Sequence, residues 1–281
     1  MKEALARTKI CRDFKIKKLD LSGLGLTMLP DTLPEHLIVL DCSHNYLTNL
    51  PQLPISLREL DCSYNRIQIL PDLPDTLQYL KCSHNKLSIL PSHIPISMQN
   101  LKCSHNNIHV LPDVWPNSLI ELWCHNNQII EVPANLPDSL ESFGCSNNNI
   151  IFLPSTLPNS LVELYCSHNL IENLPIHLPE SLKEIYCSDN KITRFKNSIP
   201  NSLKYLLCYD NPIVELPVSL RTRCQVYCEN REQLYIKNAT SILIRNIRRS
   251  RWKKRFRQWS IYVRLQQYID LDSSKIVICY L

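Results

Sequence analysis

From Leu19 to Pro217 the chain repeats one pattern of twenty or twenty-one residues, roughly L-x-x-L-x-C-S-x-N-x-I-x-x-L-P-x-x-L-P-x-S. Its central cysteines are Cys42, Cys62, Cys82, Cys103, Cys124, Cys145, Cys166, Cys187 and Cys208, spaced by twenty residues twice and then by twenty-one six times. Leu21 holds the same place in a first, atypical copy. A unit this short cannot bury its apolar face alone, so the copies must stack on one another as a solenoid. The expected organisation is an N-terminal cap at 1–17, an array at 18–217 and a C-terminal capping segment at 218–281.

Within one copy, Leu57 to Ile67, the residues Leu60 and Cys62 alternate with Glu59, Asp61 and Ser63. That period of two is a strand with one buried face, and equivalent strands should pair side by side as one parallel, concave sheet. Asn65 follows, with equivalents at Asn45, Asn85, Asn106, Asn127, Asn148, Asn169, Asn190 and Asn211. An amide side chain both donates and accepts, so stacked asparagines can satisfy the backbone of a buried turn from one copy to the next. Ile67 and Leu70 return to the core, and Pro71 and Pro74 forbid a helix on the way back, so the convex side should be extended or polyproline-II-like. The hydroxyl before the next leucine (Ser56, Thr76, Ser97, Ser118, Ser139, Ser160, Ser181, Ser202) is expected to bond locally and start the next strand.

The motif L-x-x-L-x-(L/C)-x-x-N-x-(L/I) resembles the leucine-rich repeat, with cysteine at the third leucine position. The return P-x-x-L-P-x-S-L, as in Pro71 to Leu77, resembles the short repeats of effectors that enteric bacterial pathogens inject into host cells. The Cys-Ser-His-Asn variant is similar to leucine-rich proteins of mimivirus-type giant DNA viruses. The resemblance implies an α/β solenoid, mostly β, here of about ten repeats; a helical C-terminal cap is expected from the tail's own residues. It implies a scaffold rather than a chemistry. Some of those effectors carry a large C-terminal ubiquitin-ligase domain, for which the 64 residues after Pro217 leave no room, so that activity is not carried over.

All 19 prolines lie between Pro30 and Pro217, which marks where the repeat ends. The only glycines are Gly23, Gly25 and Gly144, too few for a glycine-rich phosphate loop or a dinucleotide fingerprint. No cofactor is expected. The first twenty residues scatter Lys, Arg and Asp where a signal peptide needs an apolar centre, and no apolar run reaches membrane-spanning length. Nine of the 13 cysteines recur at one repeat position, which suits a small buried apolar residue better than a disulfide framework. A reduced, intracellular monomer is the expectation, in the cytoplasm or the nucleus.

The outward strand positions are where the copies differ. One column reads Asp20, Asp41, Asp61, Lys81, Lys102, Trp123, Gly144, Tyr165, Tyr186, Leu207, passing from acidic to basic to aromatic. Its neighbour reads Val39, Glu59, Tyr79, Asn100, Glu121, Ser142, Glu163, Glu184, Tyr205. Ten strands at the spacing of a sheet cover about 45 Å, enough for a protein partner, and Trp and Tyr are the commonest interface anchors. Candidate partner-binding residues are Asp41, Asp61, Lys81, Lys102, Trp123, Tyr165, Tyr186 and Tyr205; the alternative is that these are plain solvated positions. His44, His84, His105 and His168 share the place before the asparagine, but repetition explains them without a metal, and Cys224-x-x-x-Cys228 lacks a second pair of ligands. Nothing singles out a catalytic set, so no enzyme is expected.

The net charge of +5 hides two opposite parts. Residues 231–281 hold twelve Lys or Arg against three Asp or Glu, while the first 230 hold nineteen against twenty-three. Arg245, Arg248, Arg249, Arg251, Lys253, Lys254, Arg255 and Arg257 form a run with no acidic residue. Leu243, Ile247, Trp252, Phe256, Trp259 and Val263 recur near helical spacing, so a basic amphipathic helix is expected there. Two uses are open: capping the last repeat, or binding nucleic acid or another anionic surface.

Overall fold

The computed structural model describes residues 1–195, 199–214, 216, 220 and 224–228. One helix, α1 (Lys2–Asp13), precedes eleven strands of three residues each: β1 (Lys18–Asp20), β2 (Val39–Asp41), β3 (Glu59–Asp61), β4 (Tyr79–Lys81), β5 (Asn100–Lys102), β6 (Glu121–Trp123), β7 (Ser142–Gly144), β8 (Glu163–Tyr165), β9 (Glu184–Tyr186), β10 (Tyr205–Leu207) and β11 (Gln225–Tyr227). They form one parallel sheet in strict sequence order. Leu40, Leu60, Leu80, Leu101, Leu122, Phe143, Leu164, Ile185 and Leu206 stand in register along its centre. All nine are buried, as are the repeat cysteines.

Helix α1 buries Ala4, Thr8 and Cys11, one side of its surface, and packs beside β1. Arg7 donates to the Asp20 carbonyl at 3.0 Å. An open edge strand is a template for unwanted pairing, and this helix covers the N-terminal one.

The turn after each cysteine explains the asparagine. Asn148 Nδ2 donates to the carbonyls of Cys124 (3.0 Å), Cys145 (2.9 Å) and Ser146 (3.2 Å), while its Oδ1 accepts from the Ile129 N–H at 3.0 Å. Two of these partners lie in the preceding repeat. The same set recurs from Asn45 to Asn211, as the asparagine spacing predicts. The hydroxyls before the leucines behave differently from expectation. Instead of bonding locally, Ser139 Oγ donates to the Leu119 carbonyl at 2.7 Å, Ser160 to Leu140 at 2.7 Å and Ser181 to Leu161 at 2.6 Å. They bond across repeats because the turn before them is already closed by backbone: the Pro54 carbonyl, for example, accepts from the Leu57 N–H at 3.0 Å.

From β1 to β10 the convex side is extended, and the described residues between those strands contain no helix. The sheet continues past Pro217: β11 pairs with β10 as Tyr205↔Gln225, Leu206↔Val226 and Leu207↔Tyr227. Cys228 thus occupies the ladder position of an eleventh strand and is joined to Cys208 by a disulfide, with Cα atoms 5.1 Å apart. This departs from the expectation of reduced cysteines throughout, and it places Cys228 in the packing of the last strands. The other ladder cysteines are free thiols.

Burial raises those thiols out of reactivity. Cys103 and Cys166 are pushed up to about 12, and Cys42, Cys62, Cys82, Cys124, Cys145 and Cys187 are raised well above their ordinary range. A thiol reagent at about pH 8 attacks thiolate. Half-buried Cys224, pushed up only to about 11, should therefore react before the eight ladder thiols, which should react only once denaturant opens the sheet, as counted by mass spectrometry. Asn148→Ala leaves the buried Ile129 N–H without its acceptor, at about 1–3 kcal/mol, and takes one donor from the carbonyls of Cys124, Cys145 and Ser146, which keep Asn127 Nδ2, Asn169 Nδ2 and the Asn126 N–H. Urea unfolding followed by circular dichroism should show a loss of at least about 2 kcal/mol, against a smaller loss for Ser139→Ala.

Candidate functional site

The central residue of each strand is committed to the core, which leaves the two flanking positions facing the concave side. Asp41, Asp61, Lys81, Lys102, Trp123, Tyr165 and Tyr186 fall in one column of the sheet, in register across β2 to β9, and Tyr205 falls in the next column beside Glu184. The basic residues Arg245, Arg248, Arg249, Arg251, Lys253, Lys254, Arg255 and Arg257 lie outside the described residues.

The acidic and basic end of the column is largely satisfied from within. Asp41 Oδ1 accepts from the Ser43 N–H at 3.0 Å and its hydroxyl at 2.6 Å. Asp61 Oδ1 accepts from the Ser63 N–H at 3.0 Å, and Lys81 reaches Asp61 Oδ2 at 3.6 Å. Lys102 faces Glu121 at 3.7 Å. The same motif at Asp20, with the Ser22 hydroxyl and N–H donating, holds that carboxyl below its usual range.

The aromatic end is built differently, and Gly144 is the reason. Trp123 and Tyr165 are two strands apart, yet their ring centroids are 5.3 Å apart, because Trp123 lies across the place where β7 has no side chain. A Cβ at Gly144 would overlap Trp123 Cε3 and His125 Nε2. His125 joins the cluster at 5.3 Å from Trp123, and Tyr186 stacks on Tyr165 at 4.6 Å with planes 18° apart. The sequence column shows these aromatics but not their contact. The isolated glycine in a strand is the signal that reveals it.

Carboxylates rim this strip on its other side. Trp123 Nε1 donates to Glu121 at 3.2 Å, the Ser142 hydroxyl to Glu163 at 3.0 Å and the Tyr186 hydroxyl to Glu184 at 3.0 Å. Glu163 and Glu184 are register partners on neighbouring strands. At the strand spacing of about 4.8 Å, two like charges repel by roughly 1 kcal/mol even in water. Among the described residues no ion pair with Lys, Arg or His is formed by either one. Burial and these two carboxylates raise the Tyr165 phenol, and Tyr186 is raised by burial and Glu184 first, so both stay neutral donors.

The histidine column has a role that the sequence alone does not show. His44, Tyr64, His84 and His105 adopt left-handed backbone, with φ of 54°, 56°, 55° and 55°. Their rings stack in succession at 4.4, 4.1 and 4.0 Å. Among the described residues, no group of three or more His, Cys, Asp or Glu is placed to hold a metal ion. No described helix is long and apolar enough to cross a membrane.

A parallel sheet of three-residue strands, an asparagine at every turn and an extended return together define a leucine-rich-repeat solenoid. The Leucine Rich Repeat family model matches residues 56–75. The repeats resemble those of a bacterial effector: the E3 ubiquitin-protein ligase ipaH9.8 of Shigella flexneri is 45% identical over 56 residues, which is 20% of this chain and 10% of that protein. The match thus spans about a tenth of the relative's length. Among solved structures, the functional domain of InlJ from Listeria monocytogenes, described as including a cysteine ladder, aligns with a TM-score of 0.55 at 22% identity, over 76% of this chain and 58% of that one. The leucine-rich repeat domain of APL1B aligns with a TM-score of 0.59 at 19% identity, over 80% of this chain and 79% of that one.

His125 supplies a test of the cluster. Its Nδ1 accepts from the Ser146 N–H at 3.0 Å, which requires an unprotonated nitrogen there. Burial, with His105 adding to it, lowers its pKa from 6.5 to about 4. As pH falls, the unfolded chain takes up this proton first, so the stabilisation is complete above about 6.5 and is lost between there and about 4. Urea midpoints across that window should fall less steeply in His125→Gln than in the parent.

Proposed function

We propose that the protein is a non-enzymatic scaffold that binds a protein partner through its concave face. Leucine-rich-repeat folds are typical of protein-interaction scaffolds, and here the residues that recur in every repeat are consumed by packing. The observation that carries the reading is the contiguous cluster of Trp123, His125 and Tyr165 on the concave side of the sheet, backed by the buried ring of Tyr186 stacked on Tyr165. Aromatic residues held rigid in a cluster lose little entropy on binding and dominate interface energetics. The ligase activity named for the Shigella relative is not proposed for this chain, since the matched 56 residues are repeat and cover 10% of that protein. The thiol-rich core suits a reducing cell interior, which is the setting we propose for it.

The experiment is affinity capture from the native cell with quantitative mass spectrometry, comparing the full chain with Trp123→Ala/Tyr165→Ala. Partners recovered by the parent should be depleted at least tenfold by the variant, with its circular dichroism spectrum unchanged. Equal recovery by a folded variant would reject the concave face as the binding surface.

A further inference from the structure

Resting on the concave-face reading, we propose that the partner presents a basic segment, with an arginine or lysine head seated between Glu163 and Glu184 and its hydrocarbon stem on the edges of Trp123 and Tyr165.

Three features of the face converge on this chemistry. The first is charge. Along the two concave columns from β1 to β10 the carboxylates are Asp20, Asp41, Glu59, Asp61, Glu121, Glu163 and Glu184, against Lys18, Lys81 and Lys102. Lys81 and Lys102 already face Asp61 and Glu121. The excess is therefore negative, and it is concentrated without a cation among the described residues at the Glu163–Glu184 pair. An acidic or phosphate-bearing partner would meet repulsion there.

The second is the orientation of the two carboxylates. Ser142 and Tyr186 each donate one hydrogen bond, at 3.0 Å in both cases, to Glu163 Oε2 and Glu184 Oε2. A carboxylate accepts about four hydrogen bonds, so each retains capacity while its rotamer is held. Two fixed acceptors at strand spacing suit a guanidinium, whose planar fork of donors can reach both. The raised phenols of Tyr165 and Tyr186 stay protonated and cannot add a competing negative charge.

The third is the apolar strip beside them. A purely apolar partner would cover the aromatic rings but desolvate two carboxylates without compensation. A compact cation would meet the carboxylates and leave the rings wet. Arginine and lysine satisfy both, because their stems lie along apolar surface while the charged head reaches past it. The ring of Trp123, drawn over Gly144, makes that surface continuous from β6 to β8.

The test uses the full chain and a fluorescent peptide of about nine alternating arginine and serine residues, roughly 30 Å when extended. Its anisotropy is measured beside that of a glutamate–serine peptide of equal length. The arginine peptide should bind saturably and the glutamate peptide should not. Glu163→Gln/Glu184→Gln, isosteric at half-buried positions, should weaken the arginine peptide at least tenfold, whereas Asp72→Asn/Asp113→Asn on the exposed convex side should leave it unchanged. No saturable binding, equal loss in both variants, or no loss in the first overturns the proposal. A second arm selects binders from an unbiased peptide library with the full chain. Selected peptides lacking cations, lost with Trp123→Ala/Tyr165→Ala but not with Glu163→Gln/Glu184→Gln, overturn the basic partner and leave the concave-face reading standing. Selected peptides indifferent to both variants overturn both.

Discussion

The structure depends on one side chain per repeat, the asparagine that follows the cysteine. At that point the chain leaves the sheet and turns through the interior, where backbone donors and acceptors have no ladder partners and no water. Asn148 answers four of them at once, and two belong to the repeat before it. Each turn is therefore completed by its neighbour. This is the physical meaning of a unit that cannot fold alone: the hydrogen-bond account of a repeat closes only when the next one is in place.

The same turn constrains the residue before the asparagine. It sits in left-handed backbone at φ near 50° along the whole array, as at Asn126 (52°), Asn147 (55°) and Asp189 (51°). That region costs most residues about 1–2 kcal/mol, and Asn, Asp and His are among those that tolerate it best. The recurrence of His, Asn and Asp at this place follows from backbone geometry rather than from metal chemistry. Tyr64 is the exception, and its ring is sandwiched between His44 and His84. Across repeats the stack, the asparagines and the serine hydroxyls form three parallel lines of contact, all running along the solenoid axis.

Much of this was legible because the repeat carries two periods at once. Alternation around Leu60 and Cys62 marks the buried face of a strand, and the twenty-residue spacing places every strand in register with the last. What stayed hidden is what depends on neighbours in space. The hydroxyl of Ser139 looks local in sequence but bonds to a carbonyl twenty residues back, since only stacking brings Leu119 beside it. Strand β11 was hidden by composition: the prolines stop before it, and Val226 and Tyr227 keep only part of the motif. The surviving signal was the interval of twenty from Cys208 to Cys228, the same interval that opens the ladder. The contact between Trp123 and Tyr165 was hidden behind a glycine that reads as a gap in the column.

That glycine shows how a scaffold built from invariant positions can acquire a particular surface. In β7 the core position holds Phe143, the largest of the fully buried side chains, and the neighbouring outward position is empty. Nothing in the stacking of repeats asks for Gly144, since its equivalents are Asp, Lys, Trp, Tyr and Leu. A glycine inside a strand weakens it and leaves a hole in the surface. Here the hole is filled by Trp123 and His125 from the strand before, which ties rings from β6 and β8 into one cluster. Glu121, Ser142, Glu163 and Glu184 meanwhile continue unbroken in the adjacent column, so the apolar strip and the carboxylates run side by side. A fixed scaffold thereby presents two chemistries in parallel, and a partner that matches only one of them leaves the other unsatisfied.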